Sequence, residues 1–202
     1  NNNYKLFLIT KSMVKIISHR GLGFEHPENT LEAIKAACKS KVDYVEFDLR
    51  IYKEEYILLH NKYSTKKKVY LKEVLKHCKN KPIMVDVKDY GLEKKLLEML
   101  KPYNFIIVSW NKKILYKIHK LNPKIKLSYS YRPKIRRLPK LPLHSVNIPW
   151  YLTTNKLIHK FHNKKIKVNI FTINLKRIYH RFQDKVDMVY TNKPKKLLRL
   201  LS

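Results

Sequence analysis

The sequence predicts an α/β fold, a near-minimal (β/α)₈ TIM barrel, and three observations predict it. Apolar strand-like runs alternate with amphipathic helical segments along the chain, the pattern of a parallel sheet with helices outside it. Nine strand candidates are present, and connection length removes one of them from the parallel set, leaving eight. The length, 202 residues, suits one domain with one hydrophobic core and lies at the small end for such a barrel. An open, doubly wound sheet is the alternative.

The elements follow in order. The first strand-like run covers residues 14–19, and a helix-like segment follows at 29–40. There Leu31, Ile34 and Cys38 share a face, with Ala37 beside them. Runs at 44–50 and 56–60 come next, with only residues 51–55 between them. A parallel crossover needs a dozen or more residues, so these two form an antiparallel hairpin, with 56–60 as the strand outside the barrel. The remaining strands are expected at 83–88, 105–110, 126–131, 145–149, 167–173 and 186–191. Helices are expected at 71–79, 92–100, 112–121, 153–163, 175–183 and 194–201. One unit lacks its helix: Pro133, Pro139 and Pro142 interrupt residues 132–144, and proline at that spacing forbids a regular helix. The same stretch carries Arg132, Lys134, Arg136, Arg137 and Lys140, on the face where barrel active sites sit.

Composition narrows the class. Hydrophobic residues make up 44% of the chain, which argues against disorder. Residues 1–12 precede Met13 and are read as an extension without assigned role, and 13–202 as one barrel domain. No apolar run reaches the ~20 residues of a membrane span, and a soluble cytoplasmic protein is expected. Cys38 and Cys78 lack metal-type spacing and read as free thiols. The formal net charge is +30. Such a field draws anions and suits a phosphorylated substrate or weak contact with an anionic membrane surface. No specific nucleic acid is expected.

Five motifs carry chemistry. His19-Arg20-Gly21-Leu22-Gly23 lies at the end of the first strand, and two of the chain's three glycines are here. Glycine this scarce marks a backbone with positive φ or a close approach. Pro27-Glu28-Asn29-Thr30 opens the first helix, where Asn29 or Thr30 can cap it. Glu46 and Asp48 alternate along the second strand and so face the same side. Two carboxylates side by side inside a barrel repel and lose hydration, and a divalent cation relieves both costs. A hairpin turn centred near Glu54 sets His60 opposite Asp48 on that face. Asp86 and Lys88 share a face on the next parallel strand, as a third carboxylate and a phosphate-binding cation.

Taken in order, these motifs resemble the glycerophosphodiester phosphodiesterase family, within the phosphatidylinositol-phospholipase-like barrels. The likeness continues through Val108-Ser109-Trp110, residues 170–174 and residues 186–194. The resemblance implies hydrolysis of a small glycerophosphodiester to glycerol 3-phosphate and an alcohol. It implies His19 and His60 as the acid–base pair and Glu46, Asp48 and Asp86 as ligands of one divalent cation, Mg²⁺ or Ca²⁺. Arg20 and Lys88 become phosphate binders. Three positions depart from the family pattern: His60-Asn61 where His-Asp is usual, Asp86-Val87-Lys88 where Glu-x-Lys is usual, and Thr191-Asn192 where Thr-Asp is usual. The segment 61–82 is also too short for the family's cap, so weak selection among leaving alcohols is expected. The competing readings are a polyanion- or nucleic-acid-binding protein on an inactive barrel, and a lysophospholipase D or phosphatidylinositol-type lipase.

Overall fold

A computed structural model of the chain describes residues 14–63, 67–131 and 138–200. The expected extension at 1–12 and most of the basic stretch 132–137 lie outside the described residues.

Eight parallel strands close on one another: β1 (Lys15–Ser18), β2 (Tyr44–Tyr52), β5 (Ile83–Val87), β6 (Phe105–Ser109), β7 (Leu127–Ser130), β8 (Ser145–Pro149), β9 (Lys167–Phe171) and β10 (Met188–Thr191). Each pairs with its neighbour in parallel register, and β1 pairs with both β10 and β2. That last pairing closes the cylinder and decides against the open sheet. The β1–β2 ladder is short, with only Ile17 opposite Tyr44 and Ser18 opposite Val45.

The strand expected at 56–60 is β3 (Glu55–Leu58), antiparallel to the upper end of β2. Its register corrects the sequence expectation. Leu49 pairs with Leu58 and Tyr52 with Glu55, and the Leu59 amide donates to the Asp48 carbonyl. Leu59, not His60, therefore stands opposite Asp48. The turn is two residues, Lys53 and Glu54, both at positive φ, as the mirror-image turns of tight hairpins require. Neither residue is the glycine or asparagine that announces such a turn. A two-residue strand, β4 (Val69–Tyr70), adds to β3 and has no signature in the sequence.

Helices α1 (Leu31–Lys39), α2 (Leu71–Leu75), α3 (Glu93–Leu100), α4 (Lys112–Leu121), α5 (Asn155–His162), α6 (Lys176–Phe182) and α7 (Pro194–Leu198) accompany the strands. The expected helix at 71–79 stops early, at Leu75, and a 3₁₀ turn (Trp150–Leu152) precedes α5. In α1 the buried face is Ala33, Ile34 and Ala37, while Leu31 and Cys38 are only half-buried at its edge. Among the described residues between β7 and β8 there is no helix. Leu138 and Leu141 pack there against the core instead, and the Lys140 amide donates to the Tyr116 hydroxyl at 2.8 Å.

Alternation along the strands sorts two interiors. Outward positions such as Val45, Phe47, Val85 and Ile107 meet the helices. Inside the barrel, Ile17, Met84, Ile106, Val108, Met188 and Tyr190 form a separate apolar cluster. The opposite arc is polar: Ser145 donates to Ser128 at 2.7 Å, and Asn169 Nδ2 to Asn147 Oδ1 at 2.9 Å. No helix among the described residues is long and apolar enough to cross a membrane.

Candidate active site

The C-terminal ends of the strands open into a cavity of about 440 Å³ lined by His19, Arg20, Glu46, Asp48, His60, Asp86 and Lys88. Every residue singled out from the sequence as a site residue therefore reaches one place. The reason is mostly strand geometry. Asp48 and Asp86 are direct partners across the β2–β5 ladder, and Glu46 lies two residues below Asp48 on the same face. Lys88 continues β5, its amide donating to the Leu49 carbonyl. His60 lines the cavity although its hairpin pairing differs from expectation. Regular strand ends at Leu58, so alternation no longer dictates where the side chain points.

The loop after β1 is held by backbone geometry. Gly21 has the positive φ inferred for it, +78°, and a Cβ there would lie 2.7 Å from the Ala33 carbonyl carbon, so its close approach is to α1. Gly23 has a looser constraint: a Cβ would meet the flexible Glu28 side chain at 3.0 Å. The Gly21 amide donates to the Glu46 carbonyl at 3.0 Å and the Arg20 amide to Glu46 Oε2 at 2.8 Å. At the start of α1, Thr30 is the cap, its Oγ1 accepting from the Ala33 amide. Asn29 does something else. It sits at φ +60°, donates from Nδ2 to Asp48 Oδ2 at 2.9 Å, and accepts the Asp48 amide at 3.1 Å. The sequence offered Asn29 only as a cap, because its link to Asp48 exists only after folding.

The charges are tightly coupled. Arg20 Nη1 donates to Glu28 Oε2 at 2.7 Å, and Arg20 Nε lies 3.0 Å from Asp48 Oδ2, at an angle that makes no hydrogen bond. Lys88 Nζ contacts Asp48 Oδ1 at 2.7 Å and also Asp86 Oδ2. Burial alone would raise the Asp48 carboxyl, but Lys88 and Arg20 outweigh it and hold Asp48 at about 2. Glu46 is pushed up by burial and by the charges of Asp48 and Asp86. Asp86 is also raised, by burial first, even with Lys88 beside it. Glu46, Asp48 and Asp86 each offer an oxygen, and all three atoms lie within 4.8 Å of one another. Asp86 Oδ1 is buried without a hydrogen-bond partner. Three converging carboxylates, two of them with raised affinity for protons and one with an orphaned oxygen, fit a hard divalent cation.

The histidines are oriented by amides. His19 Nδ1 lies 2.6 Å from Asn192 Oδ1, and His60 Nδ1 lies 2.9 Å from Asn61 Oδ1. With those oxygens accepting, Nδ1 carries the proton in each ring and Nε2 is left as a base. Burial, then the Arg20 charge, lowers His19 to about 4. Burial lowers His60 as well. Asn174 Oδ1 accepts the Asn192 amide at 3.0 Å and the Thr191 hydroxyl at 3.2 Å, which fixes the His19 partner. The far wall of the cavity is aromatic, formed by Trp110, Tyr131, Tyr151, Phe171 and Tyr190.

Comparison with known proteins places this geometry. The model of the Glycerophosphoryl diester phosphodiesterase family matches residues 19–61, which hold His19, Arg20, Glu46, Asp48 and His60. Over those residues the chain is similar to the glycerophosphodiester phosphodiesterase family. That family is one of phosphoric diester hydrolases. A "Glycerophosphodiester phosphodiesterase" of Caldanaerobacter subterraneus is 22% identical over 92% of this chain and 97% of that protein. The "Uncharacterized protein YqiK" of Bacillus subtilis is 24% identical over 94% and 99%. In fold, the crystal structure of a glycerophosphodiester phosphodiesterase from Thermotoga maritima matches with a TM-score of 0.82 at 22% identity, covering 93% of this chain and 98% of that one. An Oleispira antarctica phosphodiesterase in complex with the product sn-glycerol-3-phosphate matches with a TM-score of 0.79 at 19% identity, covering 94% and 97%.

Proposed function

We propose that this protein hydrolyses small glycerophosphodiesters to glycerol 3-phosphate and an alcohol, by histidine acid–base catalysis and with a divalent cation. The convergence of two histidines, three carboxylates and two cationic side chains in one cavity at the strand ends carries the reading. The neighbour crystallised with sn-glycerol-3-phosphate supports the product.

A phosphodiester resists hydrolysis because its anionic phosphorus repels nucleophiles and its alkoxide leaves poorly. Arg20 and the third ammonium proton of Lys88 counter the first difficulty, in a buried setting where charge is worth more than in water. Glu46, Asp48 and Asp86 would hold Mg²⁺ or Ca²⁺, which supplies charge neutralisation at the phosphoryl oxygens. His19, neutral at pH 7 and oriented by Asn192, accepts the proton of the attacking hydroxyl at Nε2. His60 acts from the fraction that is protonated on Nε2 as well as Nδ1, and passes the Nε2 proton to the leaving oxygen as its bond to phosphorus breaks. The attacker is water or the substrate's own glycerol hydroxyl, the latter through a cyclic phosphodiester.

The deciding experiment measures release of glycerol 3-phosphate from a panel of glycerophosphodiesters. Chelation should abolish release, and Mg²⁺ or Ca²⁺ should restore it. Full activity in metal-free enzyme would remove the metal from the scheme. No glycerol 3-phosphate from any diester would remove the substrate class.

A further inference from the structure

On the outer layer of the barrel, away from the catalytic cavity, Cys38 near the end of α1 and Cys78 in the turn after α2 face each other with Sγ atoms 3.2 Å apart. Both are free thiols; Cys38 is half-buried and Cys78 is buried. An S–S bond would bring the two sulfurs to ~2.05 Å. Beside them is a cavity of about 550 Å³ lined by Cys38 together with Lys35, Lys39, Lys76, Lys79 and Lys81, and no carboxylate lines it. We infer that this is a thiol–disulfide exchange site that takes an anionic low-molecular-weight disulfide, with Cys38 as attacking thiol and Cys78 as resolving thiol.

Three observations give the order of events. Cys38 reaches the cavity and Cys78 does not line it. The Cys38 thiol is held below its ordinary range by the hydrogen bond with Cys78 and then by Lys81, against burial, while Cys78 is raised by that same bond and by burial. Lys81 is anchored, its Nζ donating to the Ser40 carbonyl at 3.0 Å and the Val42 carbonyl at 2.9 Å, so its charge is fixed beside Cys38. A partly accessible, acidified thiol next to a resolving cysteine is the arrangement of redox-responsive cysteines. A metal is disfavoured: among the described residues no third histidine, cysteine or carboxylate converges on the pair, and zinc-type sites need more ligands.

The chemistry balances. Cys38 loses its proton to solvent and attacks one sulfur of the small disulfide. A mixed disulfide forms, the original S–S bond breaks, and one small thiolate leaves and takes up a proton. Cys78 then loses its proton and attacks Cys38 Sγ, and the second small thiol departs in the same way. Two protein thiols are oxidised by two electrons, and one disulfide is reduced to two thiols. The product is a covalent tie between α1 and the segment after α2.

The test treats the full chain with oxidised glutathione, bis(2-hydroxyethyl) disulfide and cystamine as anionic, neutral and cationic probes. Each rate is normalised to that probe's reaction with N-acetylcysteine. Mass spectrometry should show loss of two hydrogens, and the anionic probe should lead the neutral one by about tenfold or more at low salt, within the range of electrostatic steering. High salt, or Lys76→Gln with Lys79→Gln, should shrink that lead. Cys78→Ala should trap one glutathione on Cys38, and Cys38→Ala should trap none on Cys78. An intact dithiol after treatment overturns the site, as does a first adduct on Cys78. Rates indifferent to probe charge and salt overturn the anion preference. If Cys78→Ala does not fold, the native chain and the lysine variants still decide both points.

Discussion

At the scale of single residues, the site rests on His19 and His60 and on what points them. His19→Ala and His60→Ala should each slow turnover by roughly 10²–10⁴-fold, the size of a general acid–base contribution. Circular dichroism should show both variants folded. Near-native kcat in either would make that histidine structural. The two amides that orient the rings, Asn61 and Asn192, occupy two of the three positions where the chain departs from the usual residues of the family it resembles. The sequence shows the departures but not their meaning, which appears only when each amide is found against an imidazole Nδ1. The Asn192 hydrogen bond favours the protonated His19 ring, but burial and the Arg20 charge outweigh it. Asn192→Asp adds a carboxylate there and should raise the His19 pKa from about 4 toward the ordinary histidine range. The base is then protonated at higher pH, so the acid limb of kcat/KM should move up. An unmoved His19 titration, followed by NMR, would show that the partner's charge does not reach the ring.

At the scale of elements, the carboxylates and Lys88 were legible because strand alternation is a reliable rule: Glu46 with Asp48, and Asp86 with Lys88, fall on one face. The hairpin was harder. Its existence follows from connection length alone, but its register depends on whether the turn holds two residues or three, and Lys53-Glu54 carries neither glycine nor asparagine to say so. His60 reaches the cavity because the chain leaves the ladder before it, not because of the pairing inferred from sequence. Asn29 was missed since a residue just ahead of a helix is fully explained as a cap. The loop joining β1 to α1 provides the sharpest test at this scale. Gly21→Ala places a methyl against the Ala33 backbone at positive φ and should destabilise the fold by about 2–4 kcal/mol, combining overpacking with left-handed strain. Urea unfolding measures it, and a loss below 0.5 kcal/mol, the ordinary range for a surface change, would mean that the loop relaxes freely away from α1.

At the scale of the whole molecule, the barrel was legible because eight strands, seven of them followed by a helix among the described residues, repeat one pattern. Closure was not legible, since it depends on the pairing of the first two parallel strands rather than on any local run. The net charge of +30 is a property of the entire surface and acts on arrival more than on chemistry. Raising ionic strength from ~0.01 M to ~0.15 M shortens the Debye length from about 30 Å to about 8 Å. We therefore expect kcat/KM for an anionic diester to fall over that range while kcat stays nearly constant. A salt-independent kcat/KM would show that the field is screened or misdirected at the cavity mouth. If the short 61–82 segment leaves the leaving alcohol weakly recognised, headgroup variants should lie within about tenfold of one another in kcat/KM.

The short β1–β2 ladder has a consequence for how such an enzyme could diversify. Two residue pairs join those strands; Asp43 extends the join at one end through Ile16, and the Gly21 and Arg20 amides extend it at the other end on Glu46. The clasp of the cylinder and the cradle of the acidic cluster are therefore one object. Changes on that arc endanger shape and chemistry together, so few will survive as steps toward a new substrate. The opposite arc is under no such double obligation. Trp110 follows β6, Tyr131 follows β7 and joins β8 only through its backbone amide, which donates to the Asn147 carbonyl at 2.8 Å, and Tyr151 hangs from the turn beyond β8. Variation in substrate range should accumulate on that wall, leaving the arc from His19 to Lys88 as the conservative half of the molecule.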